Sequence, residues 1–210
     1  MKSMSRLAPA LAGLAAALLA AGAALAQDKA QGIAAQVCAA CHGADGNSVA
    51  PANPKIAGQI PEYLQKQLHD FKAQNGQKAV RESAIMSGMV ANLSDADMKG
   101  LASYYAGQAQ KPAAAADKDL ASQGQKLWRG GDLAHGIPAC AGCHGPAGAG
   151  IPAQFPRLSG QFAEYIAAQL TAFREGKRAN DRNGVMRGVA AHMNDGQIRA
   201  VAEYAAGLRP

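Results

Sequence analysis

Apolar residues fall at helical spacing twice along the chain. Leu64, Leu68 and Phe71 share one face of a helix that Pro61 opens, and Ile166, Leu170 and Phe173 repeat that stripe 102 residues later. Ser94-Asp95-Ala96-Asp97 and Asn194-Asp195-Gly196-Gln197 each offer a capping side chain with an acid or amide three positions on, which opens a helix. These signals predict last helices that reach Tyr104 and Tyr204. Gly and Pro punctuate the long segments between helices, and no run alternates in the manner of a strand. The pattern predicts an all-α fold.

Self-alignment shows one domain written twice. The stretch CAACHGADGNSVAPANPKIAGQ from Cys38 matches CAGCHGPAGAGIPAQFPRLSGQ from Cys140, and the offset of 102 holds through Tyr63/Tyr165, Gln67/Gln169 and Phe71/Phe173. The offset then drops to 100, pairing Met86 with Met186, Gly88 with Gly188 and Tyr104 with Tyr204, as a two-residue deletion in the second copy would do. The second copy also carries about ten extra residues before its cysteines, among them Trp128, Arg129-Gly130-Gly131 and His135. The expected organisation is a first domain at 27–110, a connector at 111–118 and a second domain at 119–210. Pro112 and the Ala/Lys/Asp composition around it suit an exposed connector.

Residues 1–26 read as a secretory signal: Lys2 and Arg6, a run of Ala, Leu, Gly and one Pro from Leu7 to Ala24, then Ala24-Leu25-Ala26 ahead of polar Gln27-Asp28-Lys29. The rival reading is an uncleaved anchor, against which the Ala and Gly content of the run weighs. Export places the mature chain in the periplasm. Without Lys2 and Arg6 the formal charge of +6 falls to +4, and acidic cofactor groups would bring it nearer zero, so the chain is not read as a nucleic-acid binder. Aromatic residues are only 5 % of the chain, too few for the side chains alone to fill two small interiors.

All four cysteines lie in two C-x-x-C-H units, Cys38-Cys41-His42 and Cys140-Cys143-His144. On a helical turn, thiols three positions apart can each add to one haem vinyl group, and the next residue sets an imidazole under the iron. A structural zinc site is disfavoured by the 98 residues between Cys41 and Cys140, and a thioredoxin-like pair by the lack of βαβ context. Two simple disulfides suit an exported protein but explain neither histidine nor the thin core. The residues therefore predict two covalently bound haem c groups.

Each iron then needs a ligand opposite its histidine. Every cysteine is used, His69 aligns with Thr171, His192 with Asn92, and His135 lies in the insertion. Met89 aligns with Val189, Met98 with Ile198 and Met193 with Leu93, whereas Met86 aligns with Met186. Met86 and Met186 are thus the expected axial ligands, and the unmatched methionines are assigned to packing. Pro54 and Pro156 each follow their histidine by twelve residues. Either their carbonyls accept the imidazole N–H or they stiffen the loop, and spacing does not choose between the two.

The chain resembles the dihaem cytochromes c, specifically the cytochrome c4 family, across essentially all of 27–210. The resemblance rests on CAACHGADGNS, NPKIAGQ, SGMVANLSD, the RGG insertion before PACAGCHGP, FREGKR and the spacing of Met86 and Met186. It implies a tandem duplication of a class I cytochrome c domain with approximate two-fold symmetry, haems near the domain interface and His/Met ligation. It also implies prolines such as Pro54 and Pro156 holding the ligand histidines.

Filled axial positions leave no place for peroxide or oxygen to bind, so the expected role is an electron carrier and not an enzyme. Met/His ligation raises the reduction potential, which suits a quinol-oxidising complex as donor and a terminal oxidase as acceptor. Loose membrane association is left open. A dihaem peroxidase would need unlike ligation in the two repeats, and here they match. The cytochrome subunit of a flavin-containing dehydrogenase has the same motifs, and co-purification with a flavoprotein separates it. A docking module without redox activity would be colourless. Arg174, Lys177, Arg178, Arg182 and Arg187 cluster in the second copy, read either as a solvated basic face or as a docking patch for an acidic partner.

Overall fold

The computed structural model describes residues 27–74 and 76–210, so the expected signal segment lies outside the described residues. Helical backbone covers residues 27–42 (α1), widening to i+5 hydrogen bonds at Ala34–Cys38 before a last turn at Ala39–His42. There follow α2 (Pro61–Phe71), α3 (Ala84–Val90) and α4 (Asp95–Ala106). The second half holds α5 (Lys118–Gly130), α6 (Ala141–His144), α7 (Ala163–Arg174), α8 (Val185–Ala191) and α9 (Asp195–Gly207). Among the described residues there are only isolated β-bridges and no strands, which bears out the all-α expectation.

The predicted caps are formed. Ser94 and Asp97 close a reciprocal capping box on α4, and Asn194 and Gln197 do the same on α9. Pro61 occupies the first turn of α2, where its missing N–H costs nothing. In the first half α2 packs on α4, and in the second α5 and α7 pack on α9. At the α5–α9 crossing the backbones come so close that a Cβ on Gly124 would stand 1.9 Å from the Ala200 carbonyl oxygen.

The extra residues of the second copy make a compact loop after α5. Gly131 turns the chain with φ +68°, and Asp132 and Ile137 exchange backbone hydrogen bonds of 2.8 and 2.9 Å. The result buries Trp128 and Ile137 in one core with Leu127, Ile166, Leu170, Ile198 and Val201. The first copy lacks that loop and has two smaller clusters, one around Ala34, Leu64, Leu101 and Tyr105, the other of Phe71, Val90 and Met98.

The two halves meet through reciprocal bonds. The Gln59 side chain accepts from Arg157 N (2.8 Å) and donates to Arg157 O (2.9 Å), while Gln161 accepts from Lys55 N (2.9 Å) and donates to Lys55 O (2.7 Å). Gln59 and Gln161, like Lys55 and Arg157, are partners at the offset of 102, so each half presents the same edge to the other. The segment before α5 is held rather than free. Lys111 N donates to Asn47 Oδ1 (2.6 Å), Ala113 N to Gly160 O (2.8 Å) and Asp117 N to buried Glu203 (2.7 Å).

Candidate cofactor site

The end of α1 and the short α6 present the two C-x-x-C-H units. Each stops at a glycine, Gly43 and Gly145, with φ of +77° and +80°, which L side chains rarely adopt, so the chain turns away directly after each histidine. The turn brings the proline loops back over the rings. His42 Nδ1–H donates to the Pro54 carbonyl at 2.9 Å, and His144 Nδ1–H to the Pro156 carbonyl at 3.0 Å. Each loop is pinned in the same way: Ile56 N and Ala57 N donate to Gly46 O, and Leu158 N and Ser159 N to Gly148 O. The prolines therefore act through their carbonyls, the reading that spacing alone left open.

With Nδ1 engaged, Nε2 of each ring carries the lone pair. His144 is 6 % exposed, and its Nε2 is buried with no partner among the described residues. Burial pulls the pKa of His42 and His144 down, against a smaller upward pull from the proline carbonyls, so both imidazoles are neutral at neutral pH. A buried neutral imidazole with an unused lone pair lacks an electrophile, and a metal held in a flat macrocycle would supply one.

The four thiols are free. Burial raises the Cys38 pKa, and it pushes the Cys140 thiol up to about 11. No cluster of three or more His, Cys, Asp or Glu suited to a metal occurs among the described residues, so the two C-x-x-C pairs do not come together as a zinc site would need. The zinc reading is dropped on that ground.

One cavity of about 900 Å³ runs through both halves. Cys38, Cys41, His42 and Met86 line it in the first half, and Cys140, His144 and Met186 in the second; Cys143, on the same turn as His144, is not on its wall. Leu64, Leu68 and Phe71 from α2, with Ile166, Leu170 and Phe173 from α7, supply apolar sides. The helical stripes thus line the shared cavity as well as joining the cores. Its size, its apolar walls, the orphaned His144 Nε2 and the thiols beside each ring fit a covalent haem in each half.

Met86 lies in the first turn of α3, its N–H bonded to the Ser83 hydroxyl at 3.3 Å. Met186 lies in the first turn of α8, which the chain enters through Asn183 and Gly184 at φ +56° and +70°. Different entries thus deliver matching methionines to the cavity. Met98 and Met193 are buried, at 0 % and 4 % exposure, as expected for packing residues. Met89 departs from that assignment: it is 46 % exposed and lines the cavity mouth one turn beyond Met86.

The basic cluster of the second half divides. Arg178 is only 7 % exposed and sits at the junction of the halves, so it belongs to no surface patch. Its Nη2 donates to Tyr63 Oη (3.0 Å) and Gln67 Oε1 (3.1 Å), its Nη1 to Gln169 Oε1 (2.9 Å) and its Nε to Asn180 Oδ1 (3.0 Å). Arg174 pairs with Asp195, Lys177 with Glu175 and Arg187 with Asp181, each at 2.7 to 2.8 Å. Arg182 stays exposed.

Sequence reasoning missed the counterpart of Arg178. Arg81 donates to Gln67 Oε1 (2.7 Å), Gln169 Oε1 (2.8 Å) and Tyr165 Oη (3.1 Å), the same contacts with the halves exchanged. Arg81 lies 4.5 Å above the Phe71 ring, as Arg178 does above Phe173. Arg81 N bonds Asp70 O and Arg178 N bonds Ala172 O, again matching positions. This pair stands at an offset of 97, so the loop before it is five residues shorter in the second copy and the stretch after it three residues longer. A two-residue deletion is only the net result.

A family model described as "Cytochrome c" matches residues 20–108 and again 121–208. The cytochrome c4 of Pseudomonas aeruginosa is 50 % identical over 176 residues, covering 83 % of this chain and 85 % of that protein. A thiosulfate dehydrogenase electron acceptor of Stutzerimonas stutzeri is 41 % identical over 178 residues, covering 83 % of this chain and 80 % of the relative. The crystal structure of reduced recombinant cytochrome c4 from Pseudomonas stutzeri superposes with a TM-score of 0.81 at 46 % identity, covering 87 % of this chain and 98 % of that one.

Proposed function

This chain belongs to the cytochrome c4 family, and from that premise we propose that it is a periplasmic carrier passing electrons from a quinol-oxidising complex to a terminal oxidase. It has two cytochrome c domains, each with a covalent haem, and it is an electron carrier, not an enzyme. The proposed division is a signal at 1–26, domains at 27–110 and 119–210, and a connector at 111–118. Cys38 and Cys41 attach the first haem, with His42 and Met86 as iron ligands. Cys140 and Cys143 attach the second, with His144 and Met186.

When bound, each haem supplies a one-electron iron couple. The chain's residues set its environment. The Pro54 and Pro156 carbonyls fix the histidine tautomer and keep Nε2 directed away from the backbone. Thioether sulfur at Met86 and Met186 favours reduced iron and so raises the potential. The apolar side chains of α2 and α7 keep water from the wall opposite.

The observation that carries this reading is the buried, unpartnered His144 Nε2 over a cavity that both C-x-x-C-H units border. Protein matured in an exporting host with haem-attachment machinery should retain two haems through acid-acetone extraction. A haemochrome count of one, or haem lost to the solvent, refutes the duplicated site. Reduced protein should then discharge rapidly into membranes holding a terminal oxidase, and peroxidase turnover well above free-haem background contradicts the carrier role.

The relative described as a thiosulfate dehydrogenase electron acceptor supports a second reading, in which a dehydrogenase is the donor. Comparing the rate of haem reduction by a purified dehydrogenase with that by a quinol-oxidising complex separates the two. Co-purification with a flavoprotein marks the subunit version.

A further inference from the structure

We propose that Tyr105 is a positioning residue of the first cofactor site, its phenol O–H donating a hydrogen bond to the sulfur of Cys38. This role rests on the two-haem reading above and reaches the cofactor through its thioether.

Four side-chain polar atoms are buried without a hydrogen-bond partner among the described residues: Tyr105 Oη, Gln110 Oε1, Trp128 Nε1 and His144 Nε2. Tyr105, Trp128 and His144 all line the shared cavity, so three of the four gather around one place. A buried phenol ordinarily finds a partner, and one left without calls for an acceptor on the cavity side.

The acceptor at hand is sulfur. Tyr105 is 3 % exposed and packs with Ala34 and Leu101 in the cluster against which Cys38 lies. Its ring has little freedom. It stands edge-on to Tyr104 with centroids 5.1 Å apart. Gly46, at φ +75°, leaves the space the ring fills, since a Cβ there would stand 2.8 Å from Tyr105 Cδ1. Burial raises the pKa of the phenol, and the Cys38 thiol beside it raises it further, so Oη keeps its proton. Burial also raises the Cys38 pKa, and there the Tyr105 hydroxyl pulls the other way, which makes the phenol the donor of the pair.

Attachment completes the bond. As the S–C bond of Cys38 forms on one vinyl carbon, the thiol proton passes to the other, and the sulfur keeps lone pairs but no hydrogen. It can then only accept. The second half is built otherwise. Ala205 stands at the offset of 100 from Tyr105 and shares a core with Trp128, whose ring lies 6.3 Å from that of His144. The first copy sets a small residue on the helix before its cysteines, Ala34, and the aromatic on its last helix; the second copy reverses the two. One aromatic fills each interior, and the hydroxyl at this place belongs to the first alone.

The test reads the midpoint potentials of both haems in intact wild type, Tyr105→Phe and Trp128→Phe, with a haemochrome count, and the carbon–sulfur stretching band in water and in deuterium oxide. A donor to the sulfur withdraws electron density from the macrocycle and favours reduced iron. Tyr105→Phe keeps the ring and loses the O–H, so the oxidised first haem is favoured about threefold, a fall of about 28 mV in the step that Met86→Ala also lowers. The second step should stay, and Trp128→Phe should leave the first step in place. The wild-type band should shift in deuterium oxide, and the Tyr105→Phe band should lose that component. Three results overturn the proposal and leave Tyr105 a packing residue: an unmoved first step in Tyr105→Phe, a fall shared equally by both haems, or a wild-type band indifferent to deuterium. A first step that Trp128→Phe lowers just as far does so too. A wild-type count below two overturns the haem reading instead.

Discussion

Replacing Met86 by alanine separates ligation from packing, because the structure places the methionines in such different surroundings. Met86 is half-buried at the cavity wall, and losing its side chain removes about 1 kcal/mol of apolar burial, a fraction of the ~1.5–3 for a fully buried residue. Met98 is 0 % exposed, and truncating it costs about 2–5 kcal/mol through lost contacts and the void left behind. For a chain of this size, each kcal/mol moves the thermal midpoint by about 2–4 °C. Stability and spectrum should therefore move in opposite order. A His/Met haem in its oxidised form has a weak charge-transfer band in the far red that vanishes when sulfur leaves. With two equivalent sites, Met86→Ala or Met186→Ala should each remove about half of that band, lower one potential and open one iron to cyanide. Met98→Ala and Met193→Ala should lower the midpoint and leave the band whole.

The control that bites is Met89→Ala. Met89 lines the cavity mouth one turn beyond Met86, and its 46 % exposure gives it little packing to lose. If Met89→Ala erases half the band while Met86→Ala keeps it, the repeat alignment has named the wrong residue on α3. If neither change touches the band, the first haem lacks thioether ligation and the peroxidase reading returns.

The second haem should have the higher potential, since His144 is 6 % exposed while Cys41 at the first site is open to solvent, and burial disfavours the more highly charged oxidised iron. Spectroelectrochemistry of Met186→Ala checks this: the upper of the two steps should be the one that falls. Asp97 completes the α4 cap, and hydrogen bonds from Lys29 and then Ser94 hold its carboxyl at about 2. Its folded pKa is depressed, so its contribution is present above about pH 4 and lost as pH falls toward 2. Urea titrations across that window should show wild type and Asp97→Asn converging at the acid end; a gap that stays constant removes the carboxylate from the account. Charge reversal at exposed Arg182 should weaken the salt dependence of electron transfer to an acidic partner, and an unchanged dependence makes that residue plain solvated surface.

The proposed ligand set could be read from the sequence because duplication supplies its own controls. Cys, His, Pro and Met recur at fixed offsets, while His69, His192 and Met89 do not, and chance explains recurrence less well than chemistry does. Caps were legible because their bonds are local, within three residues of one another. The junction between the halves was not. Its bonds join residues about a hundred positions apart, and constant-offset alignment sets Lys78 opposite Arg178 where the structure sets Arg81. One signal was available: Tyr63 and Gln67 recur as Tyr165 and Gln169, polar residues four apart that flank the recurring apolar stripe of Leu64/Ile166, Leu68/Leu170 and Phe71/Phe173. Polar groups repeated on a burying helix need partners, and at a self-complementary contact the partners come from the other copy.

That self-complementarity also explains why the copies diverge where they do. Residues that meet across the junction are constrained twice, by their own half and by the other, so Gln59, Tyr63 and Gln67 keep their counterparts. The solvent ends are constrained by neither. There the second copy adds the loop that buries Trp128 and Ile137, and its His144 is 6 % exposed, while the first has a half-buried His42 and an exposed Cys41; both copies leave apolar side chains in solvent, Ile85 at 69 % and its counterpart Val185 at 43 %. One architecture thus yields two sites whose histidines are unequally buried, joined through a symmetric polar seam. Burial shifts a redox couple, so the unequal enclosure of the two histidines, with His144 at 6 % exposure and His42 half-buried, predicts unequal potentials in the two halves.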